Sequence, residues 1–177
     1  MPLINPKAST LLLIDFQARL APAIEGAAAA IANAGRLIEA AKLIGVPMAF
    51  TEQNPKGLGA IVPELVPDPK LVVAKMCFDA AQAPELVARL PREHAAILAG
   101  FEAHVCVLQT ALGLIARGRR VFVVSDATGS RRPESKAAGL ARMERNGAEV
   151  VTTEMVLFEW LKSAENPAFK AAVALIK

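Results

Sequence analysis

The sequence predicts an α/β fold in which a central, mainly parallel sheet of six strands carries helices on both faces. Short apolar runs alternate along the chain with longer segments whose apolar residues recur every three or four positions, the spacing of an amphipathic helix. The first run, residues 10–14, is apolar without alternation, which is typical of a strand buried on both faces. Strands that alternate with helices form parallel sheets through right-handed crossovers, and these crossovers place helices on both faces.

The first half of the chain contains three of the six strands. After the first strand, apolar residues follow a helical spacing over residues 21–45, and Gly45 is a typical helix end. Residues 46–51 and 71–74 are apolar runs that predict the second and third strands. The segment between them, residues 52–69, is rich in glycine and proline and shows little periodicity, so we predict a long loop there.

The second half of the chain repeats the alternation. Proline near a first turn or glycine after a last turn marks several of its helices, and short apolar runs mark its strands. We predict strands over residues 94–99, 121–124 and 149–152, helices over residues 84–90, 133–146, 154–161 and 167–176, and a helix after the fourth strand that ends near Gly118. No repeat or linker divides the chain, so we expect residues 1–177 to form one domain.

Charge and hydropathy exclude several classes of partner. The net charge is +3, and the basic residues form no block longer than two adjacent arginines, so we expect no nucleic-acid partner. No apolar run approaches the roughly 18 residues that a membrane span needs, and the N-terminus lacks a signal-peptide pattern. We therefore expect a cytoplasmic protein without a membrane partner that acts on a small molecule.

Cysteine and histidine are scarce in the chain. The cysteines are Cys77 and Cys106, and the histidines are His94 and His104. A chain of this size builds a sufficient core without a disulfide, so we expect free thiols. The spacing of these residues matches no zinc pattern, and two histidines are too few for a histidine-rich site. We therefore expect no metal and no other cofactor.

One stretch, residues 100–107, has the pattern of a turn from a strand into a helix and places Cys106 on the first turn of that helix. A thiol there lies near the positive end of the helix dipole and near unpaired backbone N–H groups, which favours the thiolate and lowers the thiol pKa. The same N–H groups can stabilise the oxyanion that forms when a thiolate attacks a carbonyl. Cys106 is therefore a candidate nucleophile, and the alternative is a buried, inert cysteine.

Two further residues follow strands and carry suitable chemistry. Asp15 follows the first strand and Lys75 the third, and ligands of parallel α/β sheets bind at the carboxyl ends of the strands. The carboxylate can accept the proton of the Cys106 thiol and later pass it to a leaving amine, while the ammonium stabilises negative charge. Each residue also has a simpler interpretation, since Asp15 could cap a turn and Lys75 could pair with a surface carboxylate.

The same residues carry a family resemblance. Residues 14–17 (Ile-Asp-Phe-Gln), 75–78 (Lys-Met-Cys-Phe) and 100–111 (Gly-Phe-Glu-Ala-His-Val-Cys-Val-Leu-Gln-Thr-Ala) resemble three sequence elements of the isochorismatase-like cysteine hydrolases. Those elements are Asp-x-Gln, Lys-x-x-Phe and Gly-x-Glu-x-x-Val-Cys-Val-x-x-Thr-Ala. Residues 125–131 and 147–155 are similar to later blocks of the same superfamily, and the order of the blocks is kept.

The resemblance implies a three-layer Rossmann-like fold and a catalytic triad carried by Asp15, Lys75 and Cys106. It further implies a cis peptide bond between Phe101 and Glu102, and an oxyanion hole formed by the backbone N–H groups of Glu102 and Cys106. Because the superfamily is commonly oligomeric, it also implies a homo-oligomer, a dimer or larger.

Two departures from the superfamily narrow the expected activity. Its nicotinamidases bind a metal through an Asp-x-His pair and a further histidine after the second strand, but residues 51–59 here contain no histidine. True isochorismatases lack the nucleophilic cysteine that Cys106 supplies. Residues 51–59 instead resemble isochorismatase-domain hydrolases whose substrates are largely unassigned.

Other side chains beside these motifs are candidates for substrate contact. Gln17 and Gln53 could hydrogen-bond a substrate amide, although Gln17 could instead orient the turn that precedes it. Phe16 and Phe78 are candidate walls of a small, largely apolar pocket.

The neighbouring His104, Cys77 and arginine pair have simpler explanations. His104 is too close to Cys106 on a tight turn to form a Cys-His dyad, and Cys77 follows a buried strand as a packing residue. Arg131 or Arg132 could bind a carboxylate or phosphate, but a solvated pair beside a helix start is the simpler interpretation.

The sequence thus predicts a metal-independent cysteine hydrolase that cleaves the C–N bond of a small-molecule amide, or less readily an ester, through a thioacyl-enzyme. This is an amidohydrolase rather than an ether hydrolase. A rival interpretation is a non-hydrolytic protein on the same fold that binds partners as an oligomer or uses Cys106 as a peroxide-sensitive thiol. The intact acid, ammonium and thiol favour the hydrolase, because a binding protein needs none of the three.

Overall fold

A parallel sheet forms the centre of the molecule. The computed structural model describes residues 3–65 and 67–177. Within them, six strands pair in the order β3-β2-β1-β4-β5-β6, and every pairing between these strands is parallel. The strands are β1 (Ser9–Ile14), β2 (Met48–Gln53), β3 (Val72–Lys75), β4 (Ala95–Phe101), β5 (Val121–Gly129) and β6 (Glu149–Val151). The predicted α/β class is confirmed, and the sheet is wholly rather than mainly parallel.

Helices cover both faces of the sheet. They are α1 (Ala27–Ile44), α2 (Pro55–Leu58), α3 (Pro84–Val87), α4 (Leu108–Ala116), α5 (Pro133–Arg145), α6 (Thr153–Leu161) and α7 (Phe169–Ala174). Buried residues of α1 and α6 pack in one apolar cluster against one face, and buried residues of α3, α4 and α5 pack in a second cluster against the other. The three-layer arrangement that the sequence predicts is therefore present.

The two central strands fix the position of the site. Every residue of β1 and β4 is buried, as expected for strands that lack polar alternation because both faces are covered. β4 continues to Phe101 and β5 to Gly129, both further than the apolar runs indicate. The extension of β5 contains Ser125, Asp126 and Thr128, so polar side chains lie at the carboxyl end of this strand.

The largest local difference from the predicted elements lies after β4. The sequence predicts that the helix begins directly at the cysteine turn, but residues Ala103–Val107 form a π-helical turn and α4 begins only at Leu108. A π-turn holds one more residue per hydrogen-bonded loop than an α-helix and is frequent at functional sites. Cys106 therefore lies inside this wider turn and not on the first turn of α4.

None of the helices in the described part of the chain is both long enough and apolar enough to span a membrane.

Candidate active site

Asp15 occupies the first position after the central strand β1. Its backbone adopts a left-handed conformation with φ of 53°, and its N–H donates to the Thr51 carbonyl at 3.1 Å. The carboxylate is held on both oxygens, because the Thr51 hydroxyl donates to Oδ1 at 2.7 Å and Lys75 Nζ donates to Oδ2 at 2.7 Å. Asp15 is completely buried. Its carboxylate therefore belongs to a fixed polar cluster and does not cap an exposed turn.

Lys75 is the last residue of β3 and brings its ammonium to the same point. The side chain is completely buried and forms an ion pair with Asp15 rather than with a surface carboxylate. Nζ also donates to Gln53 Oε1 at 2.8 Å and to the Cys77 carbonyl at 3.3 Å. Burying an unpaired ammonium is costly, and these three acceptors provide the compensation that a buried charge needs.

The turn that carries Cys106 depends on a close backbone approach. Gly100 has a φ of 148°, and a Cβ atom at this position would collide with the carbonyl oxygen of Ile14 on the neighbouring strand. Glycine is the only residue that fits there. The next peptide bond, Phe101–Glu102, is cis, as the family resemblance implies.

Cys106 completes the cluster as a protonated thiol. It is 6% exposed, and both Asp15 and Lys75 lie within hydrogen-bonding reach of its sulfur. Burial and, after it, the charge of Asp15 together raise the pKa of the Cys106 thiol to about 12, while Lys75 partly opposes them. The helix-dipole argument predicts a lowered pKa and is wrong in sign, because desolvation and a neighbouring carboxylate outweigh the dipole.

Glu102 turns its backbone towards the cysteine turn and its side chain away from it. Its carbonyl accepts the N–H groups of Val105 and Val107 at 3.0 and 3.2 Å, which closes the π-turn. Its carboxylate, in contrast, accepts the Arg131 side-chain Nε–H at 3.0 and 3.2 Å and the Arg131 backbone N–H at 3.0 Å. The Glu102 N–H donates to no carbonyl or side chain of residues 3–65 and 67–177.

The two glutamines are hydrogen-bonded within the protein. Gln17 is completely buried; its amide group donates to the carbonyls of Gln53 and Gly59 at 3.1 and 2.6 Å and accepts the Gln53 N–H at 2.8 Å. Gln53 is 8% exposed and donates to the Met76 carbonyl at 2.8 Å while its Oε1 accepts from Lys75. These bonds hold both amides within the protein, and their contact with a substrate amide stays a prediction.

The two aromatic candidates differ in burial, and the predicted role of Phe78 as a pocket wall stays a prediction. Phe16 is 1% exposed and packs against Phe101 with ring centroids 4.7 Å apart, so it belongs to the core and not to a pocket wall. Phe78 is 50% exposed and lies with Met76 on the segment after Lys75. Strand alternation does not extend into these loops, so sequence periodicity could not separate the buried ring from the exposed one.

Thr51 is the residue that sequence reasoning missed. It is completely buried, and its hydroxyl and carbonyl fix the carboxylate and the N–H of Asp15. The available signal was its position, because Thr51 pairs with Ile14 across the parallel strands and so stands next to Asp15. A hydroxyl that pairs across the sheet with the residue before a candidate acid is therefore a candidate hydrogen-bond donor to that acid.

The histidine and the arginine pair lie on the outer side of the cysteine turn. His104 Nδ1 is hydrogen-bonded to the buried Ser130 hydroxyl at 3.0 Å. His104, Arg131, Arg132 and Ser135 line an open polar cavity of about 420 Å³. No group of three or more histidine, cysteine, aspartate or glutamate side chains suited to a metal ion is found in residues 3–65 and 67–177. The two cysteines are free thiols, as predicted.

The fold and the site define a class of protein: an α/β protein whose parallel sheet carries a buried acid, ammonium and thiol at the carboxyl ends of its strands. The model of the isochorismatase domain matches residues 9–155. The chain belongs to this family, and its fold is that of the isochorismatase-type hydrolases.

Relatives of assigned family support the same placement. Isochorismatase domain-containing protein 1 of Danio rerio is 38% identical over 178 residues, which are 98% of this chain and 62% of that protein. The chain thus spans less than two thirds of this relative. Isochorismatase domain-containing protein 2 of Homo sapiens is 38% identical over 176 residues, which are 98% of this chain and 85% of that protein.

Solved structures with the same fold carry differing descriptions. One described as the MAR1 ribonuclease of Caenorhabditis elegans has a TM-score of 0.91 at 36% identity, covering 99% of this chain and 92% of that chain. YcaC of Pseudomonas aeruginosa, described with hexane-2,5-diol and covalent acrylamide, has a TM-score of 0.90 at 25% identity, covering 98% and 91%. YcaC of Escherichia coli, described as an octameric hydrolase of unknown specificity, has a TM-score of 0.87 at 27% identity, covering 98% and 88%.

Proposed function

We propose that this protein is a cysteine hydrolase that cleaves the C–N bond of a small-molecule amide, or less readily an ester, through a thioacyl-enzyme. The observation that carries the proposal is the buried cluster of Asp15, Lys75 and Cys106, in which the carboxylate binds the ammonium and both groups act on the pKa of the thiol. A structural ion pair would gain nothing from a thiol beside it. Acyl transfer, in contrast, uses an acid, an ammonium and a thiol in different roles.

In the proposed mechanism the thiol is activated only as it attacks. Because the pKa of Cys106 is raised to about 12, the resting enzyme holds the proton on sulfur. As sulfur bonds to the carbonyl carbon, Asp15 accepts that proton, and Lys75 limits the build-up of negative charge. Asp15 then returns the proton to the nitrogen, the C–N bond breaks and the amine leaves. Water, deprotonated by Asp15, attacks the thioester, and sulfur regains the proton when the acid departs.

The proposed oxyanion hole consists of backbone N–H groups and needs no metal. The Glu102 N–H is adjacent to the cysteine turn and lacks a partner within the described ranges, and the Cys106 N–H is the second proposed donor. Preorganised N–H donors are among the largest contributions to acyl transfer, worth about two to three orders of magnitude each. The nucleophile, the base and the oxyanion donors of the proposed mechanism are therefore all supplied by residues of this chain.

The covalent acrylamide described for Pseudomonas aeruginosa YcaC indicates a nucleophile on that protein, and by similarity we assign this role here to the Cys106 thiol. Acrylamide is an electrophile that thiolates add to, and it carries a carboxamide group. By similarity, we expect the site at Cys106 to act on a small neutral amide. We also expect a homo-oligomer, supported by the octamer described for the Escherichia coli protein.

A second candidate function comes from the description of the Caenorhabditis elegans neighbour as a ribonuclease. The polar cavity with Arg131 and Arg132 is the feature that favours it, because guanidinium groups bind phosphates. The triad argues against it, because Asp15, Lys75 and Cys106 are too buried to reach the backbone of a polynucleotide. Small-molecule hydrolysis is therefore the preferred proposal.

The experiment is a screen of small primary and secondary amides, simple esters and a short RNA, with wild type, Cys106→Ala and Cys77→Ala. We expect release of amine from at least one amide by wild type and Cys77→Ala, and none by Cys106→Ala. Rapid quenching followed by peptide mass spectrometry should find the acyl mass on Cys106. RNA cleavage that survives in Cys106→Ala, or amide turnover that is independent of Cys106, would refute the proposal.

A further inference from the structure

Gln53 stands at a point where three elements of the site meet. It is the last residue of β2 and pairs in register with Lys75 on β3, so the two side chains emerge on the same side of the sheet. Lys75 Nζ donates to Gln53 Oε1 at 2.8 Å and to Asp15 Oδ2 at 2.7 Å. The Gln53 amide oxygen thus accepts a hydrogen bond from the same ammonium that binds the proposed base, Asp15.

The orientation of the Gln53 amide is fixed from its nitrogen side. Nε2 donates to the Met76 carbonyl at 2.8 Å, so the oxygen and not the NH₂ group must face Lys75. The partners of the amide decide which atom is oxygen and which is nitrogen, because an ammonium can only donate and a carbonyl can only accept. The side chain is 8% exposed, which leaves little room for another rotamer.

The backbone of Gln53 is held just as firmly, by Gln17. The Gln17 amide accepts the Gln53 N–H at 2.8 Å and donates to the Gln53 carbonyl at 3.1 Å, as a paired strand residue would. β1 ends at Ile14, which pairs with Thr51 on β2. The Gln17 side chain therefore extends the pairing along β2 by two residues, to Gln53. Gln17 thereby keeps Gln53 extended and opposite Lys75.

From this geometry we propose that Gln53 is a positioning residue that fixes the Lys75 ammonium between Asp15 and Cys106, with Gln17 as its support. The inference rests on the proposed hydrolase mechanism. A neutral acceptor suits this position, because it holds the ammonium without adding a second negative charge beside Asp15. Lys75 lowers the pKa of Cys106, and that effect depends on where the ammonium is held.

Two near-isosteric substitutions separate the functions of the amide oxygen. Gln53→Met removes the acceptor for Lys75 and keeps the volume. Gln53→Glu keeps an acceptor but adds a negative charge and loses the donor to Met76. Gln82→Glu makes the same chemical change at an exposed glutamine and is the matched control.

The primary measurement is the rate of iodoacetamide alkylation of Cys106 between pH 7 and 10, by peptide mass spectrometry, with Cys77 as the internal reference. We expect the Cys106 rate to fall about threefold in Gln53→Met and about tenfold in Gln53→Glu, a rise of about one pKa unit in the latter, with no change in Gln82→Glu. Where an amide substrate is known, kcat should fall and KM should stay within about twofold.

The alkylation assay requires no turnover, so the two proposals fail separately. If alkylation of Cys106 is slower in the Gln53 variants but wild type turns over no amide, the positioning role is supported and the hydrolase proposal is refuted. Unchanged alkylation of Cys106 in both Gln53 variants refutes the positioning role, whatever the enzyme does. A raised KM with unchanged kcat and unchanged alkylation identifies Gln53 as a substrate contact instead.

Discussion

A buried thiol beside a carboxylate keeps its proton more tightly than a thiol in water. With the pKa of Cys106 raised to about 12, the thiolate is a small minority at pH 8. The ordinary test for a reactive cysteine, rapid alkylation near neutral pH, would therefore pass over this residue. The proposed role of Cys106 as a nucleophile therefore rests on its position beside a base and not on its resting charge.

This argument predicts opposite effects of Asp15→Asn on two measurements. Asp15 raises the pKa of Cys106 through its charge and its hydrogen bond, so the amide should lower that pKa and speed alkylation at pH 8 by about tenfold. The same change removes the proton acceptor and should abolish turnover. Lys75→Met should slow alkylation, because Lys75 lowers the pKa. Slower alkylation in Asp15→Asn would contradict the proposed electrostatics.

The Thr51 hydroxyl offers a test at the level of one hydrogen bond. Thr51→Val removes the donor to Asp15 Oδ1 without changing the side-chain volume, and a lost bond to a buried carboxylate costs about 2 kcal/mol. We expect that loss in urea unfolding and a fall in kcat of about tenfold.

The matched control is Thr128→Val. Thr128 is also completely buried, and its hydroxyl has no partner in the described part of the chain. Replacing an unpaired buried hydroxyl by a methyl group should leave stability unchanged or raise it slightly. Equal destabilisation by the two substitutions would show that the Asp15 contact has no special value.

At the scale of the element, the strands could be predicted from the sequence and the ends of the elements could not. β4 is apolar throughout and β1 is apolar after Ser9 and Thr10, because both faces of these strands are covered, and this composition identifies them. The carboxyl ends of β4 and β5 lie beyond the apolar runs, where the register with neighbouring strands and not composition decides. The π-turn over Ala103–Val107 has no periodic signature, so the position of Cys106 within it was inaccessible to sequence reasoning.

The site shows the same division. Asp15, Lys75 and Cys106 could be brought together from the sequence, because residues that follow parallel strands share one edge of the sheet. The partners of Gln17 and Gln53 could not be predicted, because hydrogen bonds across three strand ends depend on rotamers and register. The pKa of Cys106 was predicted with the wrong sign for a related reason, since burial beside Asp15 is a tertiary property.

Alanine substitutions at two glycines, one near the end of β4 and one in α1, should change the free energy of unfolding in opposite directions. Gly100→Ala would drive a Cβ into the Ile14 carbonyl and should cost at least about 2 kcal/mol in urea unfolding. Gly35 lies inside α1 with no atom near its missing Cβ, so Gly35→Ala should stabilise by about 0.5–1 kcal/mol. Comparable unfolding midpoints for the two variants would refute the close approach as the reason for Gly100.

At the scale of the whole molecule, large apolar side chains remain uncovered. Met76 and Phe78 beside the site are 72% and 50% exposed, and Met155 and Phe158 on α6 are 44% and 43% exposed. Isolated exposed apolar residues are common on monomers, but pairs of this size on defined segments are typical of contacts between subunits. This distribution agrees with the proposed homo-oligomer.

The oligomer can be tested with the α6 pair. We expect sedimentation velocity to give a species at least twice the 18.7 kDa monomer, and Phe158→Glu to shift it towards the monomer, because a buried carboxylate without a partner opposes association. Leu43→Glu, at a comparably exposed leucine on α1, serves as the control for added charge. If wild type sediments as a monomer over micromolar concentrations, these surfaces are not contacts between copies. If Phe158→Glu leaves a stable oligomer intact, the contact lies elsewhere, and the segment with Met76 and Phe78 becomes the next surface to change.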